Sequence, residues 1–109
     1  MISAAALLLQ TANAENGQDL SRMYGTQWEG YAENYMRGLA DGFEMREALR
    51  MKPSRYEYCK PYSVKMEADD YRALLDAQLK DPAKQEYITH LPAYLVLLIG
   101  MNEKFPCSK

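Results

Sequence analysis

The sequence is short of the side chains that most often carry catalysis and metal binding. Its 109 residues include one histidine and two cysteines. A structural zinc site needs about four ligands, usually Cys and His, so a single chain does not supply them. A Cys–His hydrolase would need a free thiolate beside His90. We therefore expect no metal, no cofactor and no enzyme activity, and we interpret His90 as a capping or surface residue.

Two further features are missing: a basic stripe and a long apolar run. The 13 Lys and Arg residues are outnumbered by 15 Asp and Glu, which gives a net charge of −2. Without a cluster of basic residues, nucleic acid is not an expected partner. No apolar stretch approaches the roughly 20 residues that cross a bilayer, so we expect the mature chain to have no membrane partner.

Residues 1–14 have the pattern of an export signal. An apolar run, 2–9, leads to Ala12 and Ala14, the A-x-A pattern that predicts cleavage before Glu15 and a periplasmic location. No Lys or Arg precedes the run. Either the true start therefore lies upstream of Met1, or the segment is a short apolar helix packed on the domain. Residues 15–109 are expected to form one helical domain, because about 95 residues suffice for a single core.

The two cysteines, Cys59 and Cys107, lie at the two ends of the C-terminal half. In an oxidising compartment they predict one disulfide; two free buried thiols are the alternative. The bond would close a loop of 107 − 59 = 48 residues. The chain-entropy model gives such a loop about 4 kcal/mol, which is a large share of a small domain's stability.

A helix is predicted over residues 19–51, with Asp19 or Ser21 as N-cap and Pro53 beyond its end. Its apolar stripe recurs at helical spacing and consists of Leu20, Tyr24, Trp28, Tyr31, Tyr35, Leu39 and Phe43. A second face of small residues consists of Gly30, Gly38 and Gly42. Another helix could pack closely on the last two glycines; alternatively, the helix breaks near them.

The C-terminal half predicts further helices. The first covers residues 65–80, with Ser63 as N-cap. Asp81 and Pro82 then begin a short helical turn that ends near Tyr87. The inner stripe of helix 65–80 consists of Val64, Ala68, Tyr71, Leu75 and Leu79.

The last helix is predicted to be capped by Thr89, to tolerate Pro92 in its first turn and to end at Pro106. Because it is apolar on almost all sides, it is either the central helix or half of a dimer interface. Its predicted stripe consists of Leu91, Tyr94, Leu95, Leu98, Met101 and Phe105. The expected fold class is all-α: a compact bundle of four to five helices with one disulfide, forming a homodimer.

Exposed polarity marks helix 65–80 and the corner after it as the candidate surface for a protein partner. The candidate residues are Glu67, Asp69, Asp70, Lys80, Asp81, Lys84 and Gln85. For the acidic residues the alternative is structural, because carboxylates in a first helical turn interact well with the helix dipole. The candidates for helix packing or dimer contacts are Gly38, Gly42, Tyr94, Leu97 and Met101.

The order of these motifs resembles the Rap/Tai family of immunity proteins of type VI secretion systems (the Tai-four-like group). A tyrosine- and glycine-bearing helix leads to a Cys-x-Pro segment, then to a Leu-x-x-Pro corner and a closing Phe-Pro-Cys. The resemblance covers about residues 28–107. The matching residues are Tyr31, Tyr35, Gly38, Asp41, Gly42, Cys59, Pro61, Leu79, Pro82, Phe105, Pro106 and Cys107.

The resemblance implies a periplasmic, disulfide-bonded, helical protein. Such proteins bind and block peptidoglycan amidase effectors, cysteine peptidases that cut the bond between D-glutamate and diaminopimelate. They act as plugs in the active-site cleft, and members related to this chain are homodimers. This chain departs from the family pattern in its N-terminal region, where many members carry further cysteines.

Two other functions remain open from the sequence. One is a small periplasmic acid-stress chaperone of the helical, single-disulfide type, whose switch would depend on Asp and Glu protonation because histidine is scarce. The other is a thiol hydrolase that uses His90 and a free cysteine.

Overall fold

One helix near the middle of the sequence contacts most of the other described helices. The computed structural model describes residues 15–49 and 58–107, so the predicted export signal lies outside the described residues. Within those two ranges the chain is all-α with no strand, so the predicted all-α class is confirmed, while the homodimer stays a prediction. The described residues form five helices, in order α1 Gly17–Arg22, α2 Glu29–Leu49, α3 Ala68–Leu79, α4 Gln85–Ile88 and α5 Ala93–Lys104. A single 3₁₀ turn, Pro82–Lys84, precedes α4.

Helix α3 is the central helix, since α1, α2, α4 and α5 all contact it. Helix α5 packs against α3 and α1, and its fully buried side chains include Val96, Leu97 and Met101. Burying each such side chain contributes roughly 1.5–3 kcal/mol. The predicted stripe is wrong in direction: of its members only Met101 is fully buried, whereas Tyr94 is exposed. The predicted cap is also wrong, because α5 begins after Pro92 and has no side-chain cap.

The predicted helix over residues 19–51 is in fact two helices. Helix α1 ends at Arg22, and α2 begins only at Glu29. Gly25 lies between them with φ = +81°, a left-handed conformation that glycine adopts without steric cost. The alternative break near Gly38–Gly42 does not occur, since α2 runs through both glycines.

The start of α1 is fixed by Asn16 rather than by Asp19 or Ser21. The Asn16 side chain accepts hydrogen bonds from the backbone N–H groups of Gln18 and Asp19 and donates to the carbonyl of Thr89. It therefore caps α1 and also ties it to the segment before α5.

Helix α3 begins three residues later than predicted. Its N-cap is Glu67 instead of Ser63. The predicted inner stripe is confirmed, since Tyr71 and Leu75 are fully buried and Val64, Ala68 and Leu79 pack partly buried against the core. The corner after α3 is confirmed as well: the Asp81 carboxylate accepts a hydrogen bond from the N–H of Ala83, with Pro82 at the first helical position.

The predicted disulfide between Cys59 and Cys107 is confirmed. The N–H of Cys59 also donates to the carbonyl of Phe105 at 2.8 Å, so the two ends of the C-terminal half are joined twice. Next to this bond, the nearly buried Lys60 ammonium lies 3.1 Å from a Glu47 carboxylate oxygen. Tyr58 donates to the other Glu47 oxygen at 2.6 Å. This network connects α2 to the segment before α3.

Candidate functional site

The predicted partner-binding residues fall into two groups at opposite ends of α3. Glu67, Asp69 and Asp70 lie at its start, and Lys80 follows its end. Eleven residues separate Asp69 from Lys80, which is roughly 16 Å along a helix. The structure therefore does not bring the predicted residues together in one cluster.

At the start of α3, the two neighbouring aspartates have different surroundings. The N–H of Glu67 donates to the Asp70 carboxylate at 2.8 Å, so Asp70 satisfies a backbone group that the helix leaves unpaired. Asp69 is exposed and takes part in no such cap. Of the two, Asp69 is the carboxylate left available to a partner.

Two hollows meet at Asp69. One, of about 240 Å³, is lined by Tyr24, Glu33 and Arg37 together with Met36, Ala68 and Asp69. The other, of about 270 Å³, is lined by Asp69, Arg72, Ala73 and Asp76. The Arg72 guanidinium lies 3.6 Å from the centre of the Tyr24 ring. Asp69 thus borders two depressions that are lined by charged side chains.

The corner after α3 has its polar side chains already engaged. Lys84 forms ion pairs with Glu103 and Asp81 and donates to the Gln78 amide oxygen at 2.6 Å. The Gln85 amide donates to the carbonyls of Leu79 and Asp81. Lys84 thus ties the corner to α5 through Glu103, and Gln85 ties it to the end of α3, whereas Lys80 is exposed.

The charges at this corner are mutually stabilised. A backbone hydrogen bond from Ala83 and a bond from Lys84 lower the pKa of Asp81. The bond from Lys84 likewise lowers the pKa of Glu103. Burial opposes the ammonium of Lys84, but its bonds to Glu103 and Asp81 raise its pKa. This pattern is typical of a structural cross-link.

The residues predicted for helix packing or dimer contacts also fall into two groups, one buried in the domain and one at its surface. Leu97 and Met101 are fully buried inside the domain, where they pack within the monomer. A Cβ added at Gly38 or Gly42 would have no described atom within 4 Å, so the expectation of close helix packing at these glycines is wrong within the described chain. Both line a groove of about 180 Å³ with the ring of Tyr94.

An aromatic hollow at the start of α2 was missed by the sequence analysis. Trp28 is 60 % exposed and lines a depression of about 300 Å³ with Glu15, Met23 and Tyr31. The Tyr31 hydroxyl donates to the Glu15 carboxylate at 2.8 Å, which raises the pKa of Tyr31. The available signal was Gly25, because a glycine inside a helical pattern can mark a turn, although the apolar spacing continues through it.

The chemistry of the remaining candidates is limited. Both cysteines are bonded, so in this structure no thiolate is available beside His90, which is itself exposed. Among the described residues no group of three or more His, Cys, Asp or Glu could hold a metal ion. No helix in residues 15–49 or 58–107 combines the length and apolarity needed to cross a bilayer.

Comparisons with protein-family models, with curated proteins and with solved structures gave no match.

Proposed function

We propose that this protein is a periplasmic immunity protein that binds and occludes the active site of a type VI secreted peptidoglycan amidase. Cleavage before Glu15 would release the mature domain into the periplasm, where it would protect the producing cell from that effector. The motif order over residues 28–107 supports the proposal, and the disulfide suits an oxidising compartment. The protein would act by binding alone.

The observation that carries the proposal is the position of Asp69. It is exposed, it has no capping role, and it borders two hollows lined by charged side chains. An exposed carboxylate that borders two hollows can meet polar groups of a partner while the hollows receive the partner's side chains. The start of α3 is therefore the proposed plug, and Lys80 at the far end would lie at the rim of the contact.

Asp69 and Asp70 provide a matched pair of variants. Both are first-turn carboxylates of α3, so replacing either with alanine removes a similar interaction with the helix dipole, about 0.3–1 kcal/mol. Only Asp70→Ala also removes the cap, which costs about 1 kcal/mol more. If Asp69 contacts the effector, Asp69→Ala weakens binding more while destabilising the fold less.

The experiment uses the oxidised protein to capture a partner from a type VI-active lysate. Affinity of the captured amidase for each variant is then measured alongside the variant's free energy of unfolding. We expect Asp69→Ala to lower the affinity at least tenfold, or 1.4 kcal/mol, and Asp70→Ala to leave it near wild type. If both variants keep the wild-type affinity and only the free energy of unfolding changes, the acidic residues serve only to stabilise the start of the helix.

A second candidate, a small periplasmic acid-stress chaperone, is favoured by the exposed aromatic hollow at Trp28. Exposed apolar patches mark sites that bind proteins. Trp28 is the single tryptophan of the chain, so its fluorescence reports on this hollow directly. A chaperone would bind several unfolded clients as pH falls, with a change in Trp28 emission that Trp28→Phe removes. An immunity protein would bind one partner at neutral pH.

A further inference from the structure

Glu15 is held by three separate hydrogen bonds. Its backbone N–H donates to the Tyr35 hydroxyl at 2.8 Å, and its backbone carbonyl accepts from the N–H of Ala93 at 2.6 Å. Its carboxylate accepts from the Tyr31 hydroxyl at 2.8 Å. The two tyrosines belong to α2 and Ala93 begins α5, so this one residue ties two helices together.

The residues after Glu15 continue this attachment. The N–H of Gly17 donates to the carbonyl of Leu91 at 3.0 Å. Gly17 itself is buried, and a Cβ added there would lie 3.1 Å from Val96 Cγ2 and 3.3 Å from Leu75 Cδ1. These contacts lie among the described residues and involve none of the segment that cleavage before Glu15 would remove.

We infer that the Tyr35 hydroxyl is a binding site for the mature N-terminus, which holds the ammonium group that cleavage before Glu15 forms. The inference rests on the cleavage that is part of the proposed function. Hydrolysis of the Ala14–Glu15 peptide bond consumes one water and leaves a carboxylate on Ala14 and an amino group on Glu15. An α-amino group has an ordinary pKa of about 7.7–8.0 and is therefore mostly protonated at neutral pH. The bond from the Glu15 nitrogen to Tyr35 then has a charged donor.

The surroundings of this nitrogen suit a positive charge. Among the described residues the Glu15 carboxylate has no cation as a partner. The rings of Tyr31 and Tyr35 lie 6.2 Å apart, and Trp28 lines the hollow beside Glu15; aromatic faces attract cations. A hydrogen bond from a charged donor is about twice as strong as one from a neutral donor. Cleavage should therefore stabilise the folded domain relative to a chain that keeps an amide at Glu15.

The test compares urea unfolding of two oxidised chains that begin at residue 15, one with a free α-amine and one acetylated there. Acetylation keeps an N–H for Tyr35 but removes the positive charge, as the uncut peptide bond does; the full chain 1–109 is the uncut reference. At pH 6 we expect the folding equilibrium constant of the free-amine chain to be about fivefold larger than that of the acetylated chain.

The pH dependence of this difference has a defined sign. The bond to Tyr35 raises the pKa of the Glu15 amine in the folded chain. The advantage is therefore fully present below the unfolded pKa of about 8 and is lost as pH rises through the folded value. The titratable groups that face the amine, the Glu15 carboxylate with Tyr31 and Tyr35 from α2, are the same in both chains, and Ala93 from α5 is uncharged. The comparison therefore reports on the amine alone.

Tyr35→Phe removes the acceptor and should abolish the difference between the free-amine and acetylated chains. Tyr62→Phe is the matched control, since it makes the same change at a tyrosine that is 80 % exposed, and it should keep the difference. A second readout, independent of any variant, is the pKa of the Glu15 amine in the folded chain, followed by NMR and expected above about 8.

Three results would each overturn the inference: a chain from residue 15 that does not fold, equal stabilities of the two chains at pH 6, or a difference that survives Tyr35→Phe. An amine pKa at or below the unfolded value would do so as well. None of these measurements involves the amidase, so the inference can fail while the proposed binding at α3 stands, and the reverse.

Discussion

Two glycines in helix interiors should respond with opposite sign to the same substitution. Gly100 in α5 faces α3: an added Cβ would lie 2.8 Å from Leu74 Cγ and 3.2 Å from Gln78 Cγ. Gly38 in α2 has no described atom within 4 Å of such a Cβ. Both glycines lie well inside their helices, so alanine improves helix propensity equally at the two positions. The difference between the variants isolates the packing of α5 against α3.

The magnitudes follow from these surroundings. Replacing glycine with alanine inside a helix contributes about 1 kcal/mol of stability. At Gly38 nothing opposes this gain, so Gly38→Ala should stabilise the monomer by 0.5–1 kcal/mol. At Gly100 the contact with Leu74 Cγ is too short for a carbon pair, and overpacking costs about 1–3 kcal/mol. Gly100→Ala should therefore be the less stable of the two by about 2 kcal/mol.

Urea denaturation followed by circular dichroism measures both variants. It is done at low protein concentration, so that self-association does not contribute. An unchanged m-value would show that the unfolding transition itself is the same. A difference of about 2 kcal/mol corresponds to roughly 8–16 °C in Tm for a domain of this size. If Gly100→Ala is as stable as Gly38→Ala, the described approach of α3 to α5 is wrong.

Three other perturbations have defined outcomes. Replacing Cys59 and Cys107 with alanine should cost about 4 kcal/mol, since the bond closes 48 residues in the unfolded chain; a loss below about 1 kcal/mol in urea titrations would contradict this. Lys60→Met leaves the buried Glu47 carboxylate without its cation and should cost about 3 kcal/mol or more of folding stability. A Tm unchanged from wild type would exclude the Lys60–Glu47 network. The folded-state pKa of Glu103 lies below its ordinary value because of Lys84. The contribution of the ionised Glu103 carboxylate to folding stability is therefore fully present above the unfolded pKa of about 4. That contribution is lost as pH falls through the folded-state pKa. Glu103→Gln should flatten the fall of stability with acid, and an unaltered pH profile would argue against the cross-link.

The elements that local chemistry determines could be predicted from the sequence. Two cysteines leave a single intramolecular pairing, and the Asp-Pro pair at 81–82 has few conformations other than a helix start. The inner stripe of α3 was found because it is apolar on one side only. In each case one local rule pointed to one structure.

The elements that depend on tertiary contacts could not be predicted in the same way. Helix α5 is apolar on nearly every side, so its pattern gave no direction, and the buried face was assigned to Tyr94 instead of Val96. The aromatic stripe from Leu20 to Phe43 keeps helical spacing through the turn at Gly25, which concealed the break. The pairing of Lys60 with Glu47 joins segments that only folding brings together.

The residues of the candidate partner-binding surface were also hard to predict from the sequence. Polar residues that cap a helix and polar residues that meet a partner have the same pattern in a sequence. Asp81, Lys84 and Gln85 were predicted for partner contact, and the structure gives each a bond within the corner. Their role in binding stays a prediction, and so does that of Asp69, which is exposed.

The most direct measurement is a titration of peptidoglycan amidase activity, using the captured partner and the oxidised protein. The proposed function predicts that one equivalent abolishes cleavage of the D-glutamate–diaminopimelate bond, that Asp69→Ala shifts the titration to higher concentrations, and that Asp70→Ala does not. Amidase activity that persists at a large excess of the folded wild-type protein would contradict the proposed function.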